Sequence, residues 1–217
     1  MKAWLLIFLA VAMPAHAGDV TNDVPDAMDT SRVHLIYLQG RIIENSGLRP
    51  IDARFGLYDY PAVLEALSSR GAIVISTRRG PDTDVNAYAG VVISVIERLL
   101  LGGVPAEQIV IAGFSKGGLI AVHVSSFLRR SQVRFVLLAA CWDRPHEPQL
   151  RLTGRVLSVY ETSDTLAGSC KRLGDHPEQP QSFEEIMIST GKAHGAFYLP
   201  HSTWVDPVLD WVHGDGG

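Results

Sequence analysis

The sequence predicts an α/β fold built on one mostly parallel sheet with helices on both faces. Three observations predict it. Short apolar, β-branched runs alternate along the chain with stretches of helical period, the pattern expected when each strand is buried on both faces by its connecting helices. The chain has 217 residues. Without its amino-terminal leader that leaves roughly 200, enough for one sizeable core and little more. The third observation is the glycine-rich turn Gly113-Phe114-Ser115-Lys116-Gly117, which lies where an apolar run gives way to an amphipathic helix.

In chain order, Lys2 precedes an apolar run over 3–13 and the small-x-small segment Ala15-His16-Ala17, which together form a secretory signal peptide over 1–17. The run is several residues too short for a membrane span, and no later stretch approaches one. Gly18 stands where a lipoprotein would need cysteine. A polar, Asp-rich leader over 18–32 is expected to be flexible, and 33–217 to form a single domain. Six strands are expected, over 33–38, 72–76, 108–112, 134–138, 155–160 and 186–189, from their runs of Val, Ile and Leu. Helices are expected near 59–70, 85–101, 118–130 and 204–213 from three-to-four-residue apolar spacing. The proline-bearing polar segments 145–150 and 173–181 read as loops. No internal repeat is visible.

Composition excludes several classes of function. The chain carries 19 basic and 23 acidic residues, and removing Lys2 with the signal peptide over 1–17 leaves 18 against 23, a balance of −5. Mild acidity without a basic stripe gives no footprint for nucleic acid. There is no CxxC pair and no cluster of ligand histidines, so neither a metal site nor any cofactor is expected. The two cysteines, Cys141 and Cys170, form an even count that suits one disulfide in an oxidising compartment. Cys141 follows the strand at 134–138 and Cys170 lies in the loop after the next strand, so both emerge at the same sheet edge and are predicted to bridge.

Ser115 falls on the turn between the run at 108–112 and the helix at 118–130. A serine there is pushed out at the carboxyl edge of the sheet, and Gly113, Gly117 and Gly118 let neighbouring backbone approach. A serine nucleophile needs an acid and then a histidine at the carboxyl ends of later strands. Glu161-Thr162-Ser163-Asp164 follows the fifth strand, and Lys192-Ala193-His194-Gly195 follows the last. The order Ser115, Asp164, His194 results. Each has a competitor: Ser115 as a helix N-cap, Glu161 as the acid nearer the strand end, and His201, His123, His34 and His213 as other histidines. Only His194 sits in a small-residue loop directly after the final strand.

With these residues in hand, the chain resembles the α/β-hydrolase superfamily over nearly all of 33–213. The resemblance rests on Gly113-Phe114-Ser115-Lys116-Gly117-Gly118 at the elbow, on Asp164 and His194-Gly195 in order, and on Leu38-Gln39-Gly40-Arg41 after the first strand. That last segment is similar to the His-Gly segment that lends an oxyanion-hole amide. This chain departs from the pattern by carrying Gln39 where histidine is frequent, and it lacks the first two strands of larger members. It looks like a compact six-stranded version, close to the small secreted bacterial hydrolases of unassigned substrate. The superfamily's acid usually lies a few residues into the loop, which favours Asp164 and leaves Glu161 a supporting role.

The resemblance implies a secreted serine esterase, periplasmic or extracellular, acting on a small-molecule acyl substrate without membrane insertion. The backbone N–H groups of Arg41 and Lys116 are the expected oxyanion donors. An acyltransferase, a peptidase or a non-catalytic binding protein on the same fold are the alternatives. Arg41, Arg78, Arg79, Lys116 and Lys192 fall on carboxyl-edge loops, where they receive an anionic group, pair with Glu44, Asp82 and Asp84, or simply face water. Trp142 and Tyr198 lie near the same edge. The interval 142–154, where larger members insert a lid, is too short for a helical cap and carries Pro145 and Pro148. The sequence carries no signal of oligomeric state.

Overall fold

A computed structural model describes residues 18–142, 150–175 and 180–214. The expected signal peptide, Pro145 and Pro148 therefore lie outside the described residues. The elements are β1 (Asp19–Thr21), β2 (His34–Leu38), α1 (Arg41–Ser46), β3 (Ile51–Asp52), β4 (Gly56–Leu57), α2 (Tyr60–Ser68), β5 (Ile73–Ile75), α3 (Val85–Leu101), β6 (Ile109–Phe114), α4 (Lys116–Leu128), β7 (Arg134–Leu138), β8 (Arg155–Glu161), α5 (Lys171–Gly174), β9 (Ser182–Ile188) and α6 (Ser202–His213). Short 3-10 turns span Ala106–Gln108 and Ala193–Phe197.

One sheet runs β1-β5-β2-β6-β7-β8-β9 with every pairing parallel, and β3 with β4 forms a separate small hairpin. Strand β6 sits in the middle, with Leu38 of β2 level with Gly113 and Leu138 of β7 level with Phe114. Three carboxyl ends therefore finish together around Ser115.

Because side chains alternate along a strand, each buried strand feeds two cores. Leu35, Tyr37, Val110, Ala112, Val136 and Leu157 face α2 and α6. Ile36, Ile73, Ile111, Phe135, Leu137 and Val156 face α3 and α4. Burying each such aliphatic side chain stabilises the fold by about 1.5–3 kcal/mol. The helices begin where the chain offers caps: Asp59 accepts from Ala62 N–H at 3.2 Å and Asp84 from Ala87 N–H at 2.8 Å.

The sheet has seven strands rather than the expected six. The seventh, β1, comes from the leader, where no apolar alternation announces a strand. It pairs on one side only and is largely exposed. The leader is also tied down by ion pairs of Asp19 with Arg32 at 2.7 Å and Asp23 with Arg98 at 2.7 Å, and by the buried Val24. Strand β9 starts at Ser182, four residues before the expected position, because as an edge strand its first half is only partly buried and alternates weakly.

Candidate active site

The site is built from the elbow outward. Ser115 has φ 54° and ψ −118°, a backbone conformation that non-glycine residues avoid and that costs about 1–3 kcal/mol unless its surroundings impose it. Here they do. A Cβ on Gly117 would lie 1.9 Å from the Leu38 carbonyl oxygen, and one on Gly113 would lie 2.3 Å from the Gly117 carbonyl oxygen. Only glycine lets β2, β6 and α4 meet this closely. Ser115 N–H donates to Leu138 O at 2.9 Å, fixing the turn to the neighbouring strand. The Ser115 side chain makes no capping hydrogen bond to α4, so it is turned away from the helix it precedes.

It turns instead toward His194. The separation from Ser115 Oγ to His194 Nε2 is 2.9 Å, and His194 Nδ1 lies 2.7 Å from Asp164 Oδ2. Asp164 Oδ1 accepts the Leu166 N–H at 2.8 Å, which ties down the carboxylate's other oxygen. The Asp164 side chain is fully buried and that of His194 is 7% exposed. Phe114 packs 4.9 Å and Phe55 5.9 Å from the imidazole, centroid to centroid, giving it an apolar wall. A Cβ on Gly195 would come within 2.8 Å of Phe55 Cβ, so the glycine after His194 is what admits that wall.

Glu161, the competing acid, faces elsewhere. Its Oε1 accepts the N–H groups of Thr190 at 2.7 Å and Gly191 at 2.9 Å, and its Oε2 accepts Ser163 N–H and Oγ–H at 2.6 Å each. Burial alone would raise this carboxyl, but donation by Ser163, Thr190 and Gly191 outweighs it and holds Glu161 at about 2.

Helices α1 and α4 both start at this edge, so the first N–H groups of each, those of Arg41 and Lys116, have no acceptor within their own helix. The Tyr58 ring packs beside the preceding Gly40, and burial drives the pKa of its hydroxyl up. Tyr58 in turn lies 3.0 Å from the Tyr37 hydroxyl. Gln39 is fully buried. Its carbonyl oxygen accepts Arg79 Nη2–H, and its Oε1 accepts Arg79 Nη1–H at 3.4 Å.

No protein-family model and no curated protein sequence matches the chain. Solved structures do. The phospholipase/carboxylesterase of Dyadobacter fermentans aligns with a TM-score of 0.60 at 13% identity, covering 92% of this chain and 99% of that one. RedJ, the thioesterase of the prodiginine pathway in Streptomyces coelicolor, gives 0.58 at 13% identity over 95% and 96%. A serine hydrolase without lid from Xanthomonas campestris gives 0.53 at 13% identity over 89% and 84%. The fold is that of the α/β hydrolases.

Within this α/β-hydrolase fold the remaining candidates disperse. His34 lies at the amino end of β2, at the opposite edge of the sheet, and His123 lies on α4 against Phe127 at 5.6 Å. His201 is the N-cap of α6 and His213 ends it. The cationic set divides as well. Arg79 and Lys116 reach the buried Glu44 at 2.8 and 2.7 Å. Arg78 donates to the Ile43 carbonyl at 3.1 Å. Arg41 and Lys192 stay exposed.

Cys141 and Cys170 form a disulfide with Cα atoms 5.2 Å apart. Gly168 N–H also donates to Cys141 O at 2.8 Å, so the loop that carries Asp164 is fastened twice to the end of β7. A cleft of about 390 Å³ opens between the β3–β4 hairpin and the His194 turn, lined by Arg54, Phe55, Leu57, Lys192 and Tyr198 among others. Among the described residues no group of three or more His, Cys, Asp or Glu could hold a metal ion, and no helix is long and apolar enough to cross a membrane.

The residues that sequence reading missed are Phe55, Tyr58, Tyr37 and the pairing of Arg79 with Gln39. Each acts through a contact formed only by folding. The two-residue strands β3 and β4 are too short to show a period.

Proposed function

We propose that this protein is an exported serine hydrolase that cleaves an ester or related acyl bond of a small, soluble substrate. The observation that carries this reading is the hydrogen-bonded line from Ser115 through His194 to Asp164, at 2.9 and 2.7 Å, with the serine on a strained elbow. In this reading His194 Nε2 takes the Ser115 proton as Oγ attacks the acyl carbon, while Asp164 fixes the ring's tautomer and stabilises the imidazolium. The N–H groups of Arg41 and Lys116 receive the tetrahedral oxyanion, and loss of one such donor costs about 3 kcal/mol in the barrier. His194 then hands its proton to the leaving group, activates water, and the acyl-enzyme is cleared.

The segment 1–17 would direct export, and the Cys141–Cys170 bridge suits an oxidising destination. The thirteen residues 142–154 leave too little chain for a helical cap, which favours compact substrates over long acyl chains. Treating the purified protein with a fluorophosphonate probe tests the reading. A covalent adduct on the Ser115 peptide, together with turnover of short acyl esters, is the expected result. A folded protein that takes no label would instead be a binding protein on a hydrolase fold.

A further inference from the structure

We infer that Glu44 is a positioning residue that clamps the two halves of the oxyanion pocket to one another, an inference that rests on the serine hydrolase reading. The two proposed donors, Arg41 N–H and Lys116 N–H, begin different helices on different sides of β2 and β6. Their spacing is not set by any one element. Glu44 lies in α1, three residues after Arg41. Its Oε2 receives the Lys116 ammonium at 2.7 Å, from the same residue whose backbone N–H is the second donor. Its Oε1 receives Arg79 Nε–H at 2.8 Å. Arg79 holds the other flank, donating to both the carbonyl and the side-chain oxygen of Gln39, two residues before Arg41. Arg78 adds bonds to the carbonyls of Ile43 at 3.1 Å and Glu44 at 3.4 Å.

The burial of this cluster separates it from an ordinary surface ion pair. The Glu44 and Arg79 side chains are 0% exposed and that of Lys116 is 13% exposed. Taking such charges out of water is costly, and an apolar replacement would stabilise the fold as well or better. What the cluster supplies is geometry, since both ends of the carboxylate are bidden to fixed partners. It also places two cations against one carboxylate directly behind the donors, a net positive field where negative charge develops in the transition state. Arg79 further stacks on Tyr88 at 5.5 Å, which stiffens the clamp from behind. The same contacts account for Gln39: its amide oxygen gives Arg79 a neutral acceptor.

The test compares Glu44→Gln with the parent on a soluble short-chain ester. Misplacing a donor by a fraction of an ångström weakens transition-state binding without weakening substrate binding, so kcat is expected to fall by about 10–100-fold with KM within about twofold. Affinity for an alkyl trifluoromethyl ketone, whose carbonyl oxygen becomes an oxyanion when Ser115 Oγ adds and His194 takes the proton, should fall by the same factor. Inhibition by the alcohol product should not change. Lys116→Met, which keeps the backbone N–H and removes the ammonium, should reproduce the loss, and Lys116→Arg should retain most of the activity. These two variants serve also if Glu44→Gln does not fold. A lowered melting temperature with unchanged kcat and ketone affinity would overturn the inference alone. A parent whose activity survives Ser115→Ala would overturn the hydrolase reading, and the clamp with it.

Discussion

Glu161 Oε1 accepts the Gly191 N–H at 2.9 Å, so the strand that leads to Asp164 grips the loop that leads to His194. The two residues are remote in sequence, yet the bond makes one unit of the Asp164 and His194 loops. A carboxylate in this position both orders the site and stores stability.

The first prediction follows from its charge. Glu161 is held at about 2 against an ordinary value of 4.5, so the folded state binds its proton less readily than the unfolded chain. The stability this confers is fully present above about pH 4.5 and is lost as pH falls through about 2, a change of about 3 kcal/mol. Denaturant titrations of Glu161→Gln and the parent between pH 2 and 7 should converge at the acid end and separate above pH 4.5. Parallel curves throughout would contradict the assignment.

Ser115→Ala should reduce acyl turnover by at least about 1,000-fold and leave the fold intact, since the hydroxyl contacts His194 rather than the core. Retained turnover would remove Ser115 as the nucleophile. His194→Ala should show a loss of similar size, and combining the two should add little, because the pair acts as a unit.

Gly117→Ala should destabilise the protein by about 3 kcal/mol or more and abolish activity with it, because its Cβ would sit 1.9 Å from a backbone carbonyl that cannot rotate away. Gly56→Ala, in the hairpin, meets nothing within 4 Å and should cost only the strain of a positive φ of 81°. Thermal melts of the two variants side by side measure the difference.

Reduction of Cys141–Cys170 should weaken activity before the sheet unfolds. The bridge closes a loop of 29 residues, worth about 3.5 kcal/mol in the chain-entropy account, and tethers the segment that carries Asp164. Ester turnover and far-ultraviolet circular dichroism followed together during titration with a dithiol should show activity falling first. Simultaneous loss would place the bridge's effect in global stability.

Much of this was legible in the sequence. Buried parallel strands such as β6 and β7 are continuous apolar runs, and α3 matches its expected span of 85–101, because burial on both faces and a 3.6-residue period leave strong local signals. The order of Ser115, Asp164 and His194 was readable because a parallel sheet delivers successive loops to one edge. Strand β1 and the hairpin were not readable, being two or three residues long and mostly exposed. The bonding of Glu44 to Arg79 and Lys116, 35 and 72 positions away, was legible only as the alternative to an anion-binding role, since no periodicity marks a polar contact across folded loops.

Strand β1 also bears on the order of assembly. It pairs with β5 in a register that sets Asp19 beside Ile73, so the first described segment of the chain finds its place only after more than fifty further residues have emerged. Closing that distance costs entropy before any ladder bond repays it. Gly18, directly before the strand, packs against Ser68 at the carboxyl end of α2, where an ideal Cβ would stand 1.9 Å from the Ser68 oxygen. If 1–17 is removed as proposed, cleavage creates a new ammonium beside the negative end of that helix, a favourable placement. A chain that keeps 1–17 has a neutral amide at Gly18 instead of an ammonium and gains nothing from that helix end. Maturation would thus tighten the sheet's outer edge as well as release the chain, and a tag fused directly ahead of Gly18 would work against it.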